Sequence, residues 1–147
     1  MIQYAPGFFT KEEFRVITEI IDIIIPATVT KSASQVNTQV FLDQVFTQCL
    51  SADQQDVLRE GVKKLTAGFN QAKHKQQYIV ELDKKAFEND ENFGYFKTIK
   101  RHTMIGFFTS KEGETKASNY VKVPEAYKGE ISLDANTLNY GKTSLQY

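Results

Sequence analysis

Apolar residues recur at intervals of three and four along most of this chain, the spacing of helices that each bury one face. Phe14, Ile17, Ile20, Ile21, Ile24 and Ile25 make the first such arc, with Arg15, Thr18, Glu19 and Asp22 opposite. Ahead of it, Thr10-Lys11-Glu12-Glu13 fits the Thr-x-x-Glu capping box, and Phe9 and Phe14 fall at the positions of a hydrophobic staple. Pro26 ends this helix, because the residue before a proline is pushed out of the helical region. Beyond a polar loop, a second helix capped by Ser34 or a neighbour carries Phe41, Leu42, Val45 and Cys49 on one face. Ser51-Ala52-Asp53-Gln54 is a second capping box, and Leu58, Val62, Leu65 and Phe69 follow it at helical spacing. Gly61 shares their side, where a missing side chain admits a close neighbour. A shorter fourth helix with Tyr78, Ile79, Leu82 and Ala86 runs to about Phe87, and a polar break over Glu88 to Asn92 separates it from a fifth.

The fifth stretch, Phe93 to Ser110, is the one the others should surround. Phe93, Phe96, Ile99, Thr103 and Phe107 share a face while Ile105 and Phe108 point elsewhere, so apolar side chains leave this helix in more than one direction. After Ser110 the helical period weakens, and Val121-Lys122-Val123-Pro124 and Tyr127-Lys128-Gly129 read as a tail laid across the bundle. The pattern predicts an all-α bundle of about five helices in one domain over residues 1–147. Its helical core covers about 10–110, and an irregular C-terminal extension covers about 111–147.

The chain's 147 residues suffice to bury one core without disulfides or a structural metal. Its 18 basic and 18 acidic residues balance, and no basic run marks a footprint for nucleic acid. The longest apolar run, Ile20 to Ile25, is interrupted by Asp22 and falls far short of the roughly 20 residues that cross a bilayer. No basic segment followed by an apolar one stands at Met1, nor a twin-arginine pair, which leaves a cytosolic chain or one whose leader was removed.

Catalytic motifs require specific groups at specific spacings. The eight glycines never form Gly-x-Gly-x-x-Gly or a phosphate-binding loop, and the single Cys49 rules out a Cys-x-x-Cys pair or a c-type haem attachment site. His74 and His102 have no second histidine at helical spacing, so a zinc site is not expected. His74, between Lys73 and Lys75, reads as solvated. His102 lies at the margin of the buried face. The simplest reading is an imidazole satisfied by a backbone carbonyl; the others are a proton carrier, a contact to a partner's cofactor, or half of an acid and base pair with a carboxylate. Cys49 reads as a small core residue, and Asp22 as an exposed carboxylate.

Three pieces of sequence, in order, resemble subunit 3 of the gluconate 2-dehydrogenase family. They are Ile20-Ile21-Asp22-Ile23-Ile24-Ile25-Pro26-Ala27-Thr28; then Phe41-Leu42-Asp43 with Ser51-Ala52-Asp53-Gln54-Gln55 and the helix of Leu58, Gly61 and Leu65. The third runs from Phe96 through Gly106-Phe107-Phe108-Thr109-Ser110 to Gly113, Thr115-Lys116-Ala117, Asn119-Tyr120-Val121, Val123-Pro124, Tyr127 and Gly129. Together they cover roughly Phe14 to Leu133. The resemblance implies a non-catalytic small subunit of an exported, membrane-associated dehydrogenase acting on a sugar or sugar acid. In that family a large flavoprotein of the glucose-methanol-choline type carries FAD, and a cytochrome c subunit with haem c commonly takes the electrons. The small subunit holds no cofactor or metal and supports export and assembly of the large one, often through a twin-arginine leader. A periplasmic or membrane-associated location through partners or a removed leader follows. On this reading His102, Ile105, Phe107, Phe108, Tyr120 and Tyr127 are the expected partner contacts. The alternative is a free-standing helical module that binds a ligand or protein and has no redox partner.

Overall fold

Both capping boxes form and set the starts of two helices. Thr10 Oγ1 accepts the Glu13 amide at 3.2 Å and Glu13 accepts the Thr10 amide at 2.8 Å, opening α1 (Lys11–Ile24). Phe9 and Phe14 complete the staple with ring centroids 6.5 Å apart. The structure, a computed structural model, describes residues 4–88, 91–119 and 139–140. Helix α1 stops where Pro26 dictates, with Ile25 as its C-cap.

The second helix starts later than its sequence pattern suggests. Ser34–Val36 is a 3₁₀ turn, and Asn37 adopts a left-handed φ of 61° before α2 (Thr38–Gln48) begins. Asparagine is among the few side chains that tolerate this conformation. The turn is pinned by Asp22, whose carboxylate accepts the Ser34 amide at 2.8 Å and its hydroxyl at 2.6 Å. Asp22 is therefore half-buried and structural rather than an exposed carboxylate.

Ser51 and Gln54 exchange the second pair of capping bonds and open α3 (Ala52–Gln71). Helix α4 (Lys75–Phe87) and α5 (Gly94–Phe108) follow. Both α1 and α5 contact every other helix, so the centre of this all-α bundle is a pair of helices rather than α5 alone. Ile17, Ile20 and Ile21 of α1 meet Phe96 and Ile99 of α5 in a core completed by Leu42, Phe46, Val62, Leu65 and Phe69. Each such fully buried large side chain is worth about 1.5–3 kcal/mol relative to exposure.

Past α5 the extension is not wholly irregular among the described residues. Gly113–Ala117 forms a π-helical turn, and Ser118–Asn119 (β1) pairs in parallel with Asn139–Tyr140 (β2). Glu112 accepts the Lys31 amide at 3.1 Å, tying this exit to the loop after α1. The tail segments around Val121 to Pro124 and Tyr127 to Gly129 lie outside the described residues.

A carboxylate that the apolar pattern hides fixes the N-terminal lead-in. Asp43, 1% exposed on α2, accepts hydrogen bonds from the Tyr4 hydroxyl at 2.7 Å and from the amides of Gly7, Phe8 and Phe9 at 2.8, 2.9 and 3.0 Å. Arg59 of α3 holds the same strap from the other side, donating to the Phe8 carbonyl at 2.9 Å with its guanidinium 4.4 Å from the Phe8 ring centroid. Phe8 and Phe9 are thereby driven onto Phe46 in edge-to-face contacts.

Candidate functional site

The surface that the sequence singles out is the C-terminal half of α5. Phe96, Ile99, Thr103, Gly106 and Phe107 face inward. That leaves Met104 and Phe108, four residues apart and so on one side of the helix, 40% and 38% exposed, with Ile105 half-buried between them. Helix α5 carries Lys97, Lys100 and Arg101 and no Asp or Glu. Asp83 of α4 accepts from Lys100 at 2.7 and 2.8 Å, and the Lys97 and Lys100 ammonium groups lie 5.4 and 4.8 Å from the Phe87 ring centroid.

The expected contact residues divide on this surface. Phe108 is exposed, Ile105 is partly so, and Phe107 is 1% exposed and turned into the protein, edge-on to Phe108 at 5.2 Å. Phe107 therefore offers a partner no surface and acts by holding Phe108 in place. His102 is half-buried, with Nδ1 2.8 Å from the Thr98 carbonyl and its ring edge-on to Phe46 at 5.4 Å. That contact requires the proton on Nδ1, which donates to the carbonyl. Among the described residues no carboxylate hydrogen-bonds to His102, as an acid and base pair would need. Tyr120 and Tyr127 lie outside the described residues.

Cys49 corrects a helical-wheel expectation. It is exposed, because α2 ends at Gln48 and Cys49 is the C-cap, beyond the helices that cover Leu42 and Phe46. Spacing placed it on the right face, but no neighbour extends far enough to bury it. Among the described residues no group of three His, Cys, Asp or Glu side chains could hold a metal ion, and no helix is long and apolar enough to cross a membrane.

A second surface was not anticipated. Between α3 and the N-terminal half of α5 lies an open groove of about 750 Å³. Its floor is Tyr95 laid over Gly61, so closely that a Cβ on Gly61 would lie 2.3 Å from Tyr95 Cγ. Burial, and then the nearby Tyr78, push the Tyr95 hydroxyl up to about 12, so it stays protonated at any physiological pH. Leu50, Val57 and Leu58 supply apolar walls, and Asp53, Asp56 and Glu60 form one rim. The groove is open rather than an enclosed cavity, unlike the site of a module that buries a small ligand. Gly61 on the apolar side of α3 is visible in the sequence, but which helix lies opposite is not.

These two surfaces sit on a chain whose sequence matches the model of one family, gluconate 2-dehydrogenase subunit 3, over residues 11–124. The protein belongs to the gluconate 2-dehydrogenase subunit 3 family. The match spans all five helices and runs past β1, so membership applies to the whole bundle rather than to one motif. A gluconate 2-dehydrogenase subunit 3 is the small subunit of a dehydrogenase complex, and association with such a complex comes with the family. No curated protein and no solved structure matches the chain.

Proposed function

We propose that this protein is the non-catalytic accessory subunit of an exported flavin-dependent dehydrogenase that oxidises a sugar or sugar acid. The large partner is a flavoprotein of the glucose-methanol-choline type. FAD belongs to that partner, haem c to a cytochrome c subunit, and no redox group to this chain. The small subunit works by contact, supporting assembly and export of the large one, and reaches the periplasm or membrane surface with it. The observation that carries this reading is the family match across residues 11–124.

The structure supplies a surface suited to that work. Met104 and Phe108 expose apolar area on a helix whose other face is locked into the core, and backing by Phe107 restrains Phe108 before any partner arrives. Stable complexes bury on the order of 1,000 Å² or more, so the contact must extend well beyond this pair. Deleting the gene in its host and assaying exported flavoprotein tests the role. The expected result is loss of exported dehydrogenase that is restored by the intact gene; undiminished export and activity would contradict it.

A further inference from the structure

The groove between α3 and α5 has an acidic edge at the start of α3, where Asp53 also suits the helix dipole. Asp53, Asp56 and Glu60 recur at intervals of three and four along one side of α3, and Val57 stands among them, 70% exposed. Among the described residues Lys64 is the one cation lining the groove, against those three carboxylates. Glu60 is already paired with Lys63 at 2.7 Å, so Asp53 and Asp56 give the rim its acidic character. The opposite wall is uncharged, made of Tyr95, Thr98, Gly94 and Asn92. An apolar slot with an acidic edge favours an occupant with an apolar centre and cationic flanks.

We propose that this groove receives a polypeptide segment of the large subunit with an apolar anchor side chain and Lys or Arg within a turn of it. The anchor sits between Val57 and the Tyr95 ring, and the cations meet Asp53 and Asp56. This rests on the accessory-subunit reading and deepens it by naming the chemistry of the partner segment. The groove's volume of about 750 Å³ has room for a docked side chain, and its open side lets chain enter and leave. Floor and wall are already formed, since Tyr95 is fixed against Gly61, so little ordering is left for binding.

The test is photo-crosslinking in the co-expressed complex with the flavoprotein. A benzoylphenylalanine is placed at Val57 in one variant and at Met104 in another, both exposed positions, and cross-linked peptides are sequenced by mass spectrometry. The expected result is a flavoprotein peptide joined to position 57 with Lys or Arg flanking an apolar residue, and Asp56→Lys weakening the complex at least tenfold. If position 104 cross-links to the flavoprotein while 57 does not, the groove proposal is overturned and the accessory reading stands. A peptide with acidic flanks, or from a second copy of this chain, at position 57 also overturns it. If no complex forms with the unmodified chain, the accessory reading fails and takes the groove proposal with it.

Discussion

Gly61 of α3 lies directly under the base of the Tyr95 side chain of α5, so that a Cβ added to the glycine would stand only 2.3 Å from Cγ and 2.4 Å from Cβ of the tyrosine. Seven residues on, Gly68 meets a second tyrosine, but there the near atom is the Tyr78 hydroxyl at 2.1 Å, the far end of a flexible side chain. The two glycines therefore respond differently to the same change. Gly61→Ala forces apart two helices at a point where neither side chain can retract, and overpacking of this kind costs about 1–3 kcal/mol against a helix-propensity gain of up to about 1. A net loss of about 1–2 kcal/mol is expected. Gly68→Ala lets Tyr78 swing away, and its stability should stay within about 0.5 kcal/mol of the parent or rise. Urea denaturation of the two variants side by side checks the contrast.

Asp43 makes stability depend on acid pH. Burial by itself would raise this carboxyl, but the hydrogen bonds from Gly7, Tyr4, Phe9 and Phe8 outweigh it and hold it below the usual carboxylate range. The Tyr4 hydroxyl, pushed up to about 12 by burial and by its bond to Asp43, remains the donor throughout. A folded value below the unfolded one of about 3.9 means the stabilisation is fully present above pH about 4 and is lost as pH falls through the folded value. Asp43→Asn leaves the amides of Gly7, Phe8 and Phe9 facing a weaker acceptor and should cost about 2–3 kcal/mol at neutral pH. Parent and variant should converge in stability on acidification, as read from denaturation midpoints down to about pH 3.

The exposed position of Cys49 predicts a thiol that a disulfide reagent titrates fully in the native protein, at a rate close to that of the unfolded chain. Cys49→Ser should change stability by no more than about 0.5 kcal/mol. Slow labelling that needs denaturant would show that the residue is buried after all.

Met104→Asp and Phe108→Asp place a charge on the apolar side of α5 without entering the core, since both residues are more than a third exposed. Each should leave the melting temperature nearly unchanged while weakening association with the proposed flavoprotein partner at least tenfold, equivalent to about 1.4 kcal/mol. Phe107→Ala provides the contrast. It removes a fully buried ring and should destabilise the fold by about 3–5 kcal/mol, so its effect on binding follows unfolding.

What could be read from the sequence was local. The capping boxes at Thr10 and Ser51 and the stop at Pro26 each depend on a few residues whose geometry is set by chemistry close in the chain. Asp43 could not be recognised in the same way. It interrupts an apolar stripe, and its four donors lie at Tyr4 to Phe9, brought to it only by the folded path of the chain. Asp22 escaped for a similar reason, because the turn it pins at Ser34 has no regular period. Cys49 shows the limit of a helical wheel, which assigns a face but not where the covering helix stops. The groove needed a partner helix to exist at all: α3 shows its acidic stripe in sequence, but the slot appears only where α5 lies beside it.

A small subunit that acts by binding a flavoprotein, and carries no redox group itself, must travel with that flavoprotein and leave the flavin behind when the two are parted. Size-exclusion chromatography with light scattering and flavin absorbance, on the two chains co-expressed, reads both properties in one run. A single peak with the summed mass of the chains is expected, with the flavin remaining on the large subunit after separation. Separate peaks for two independently mature proteins, or flavin absorbance travelling with this chain alone, would contradict it.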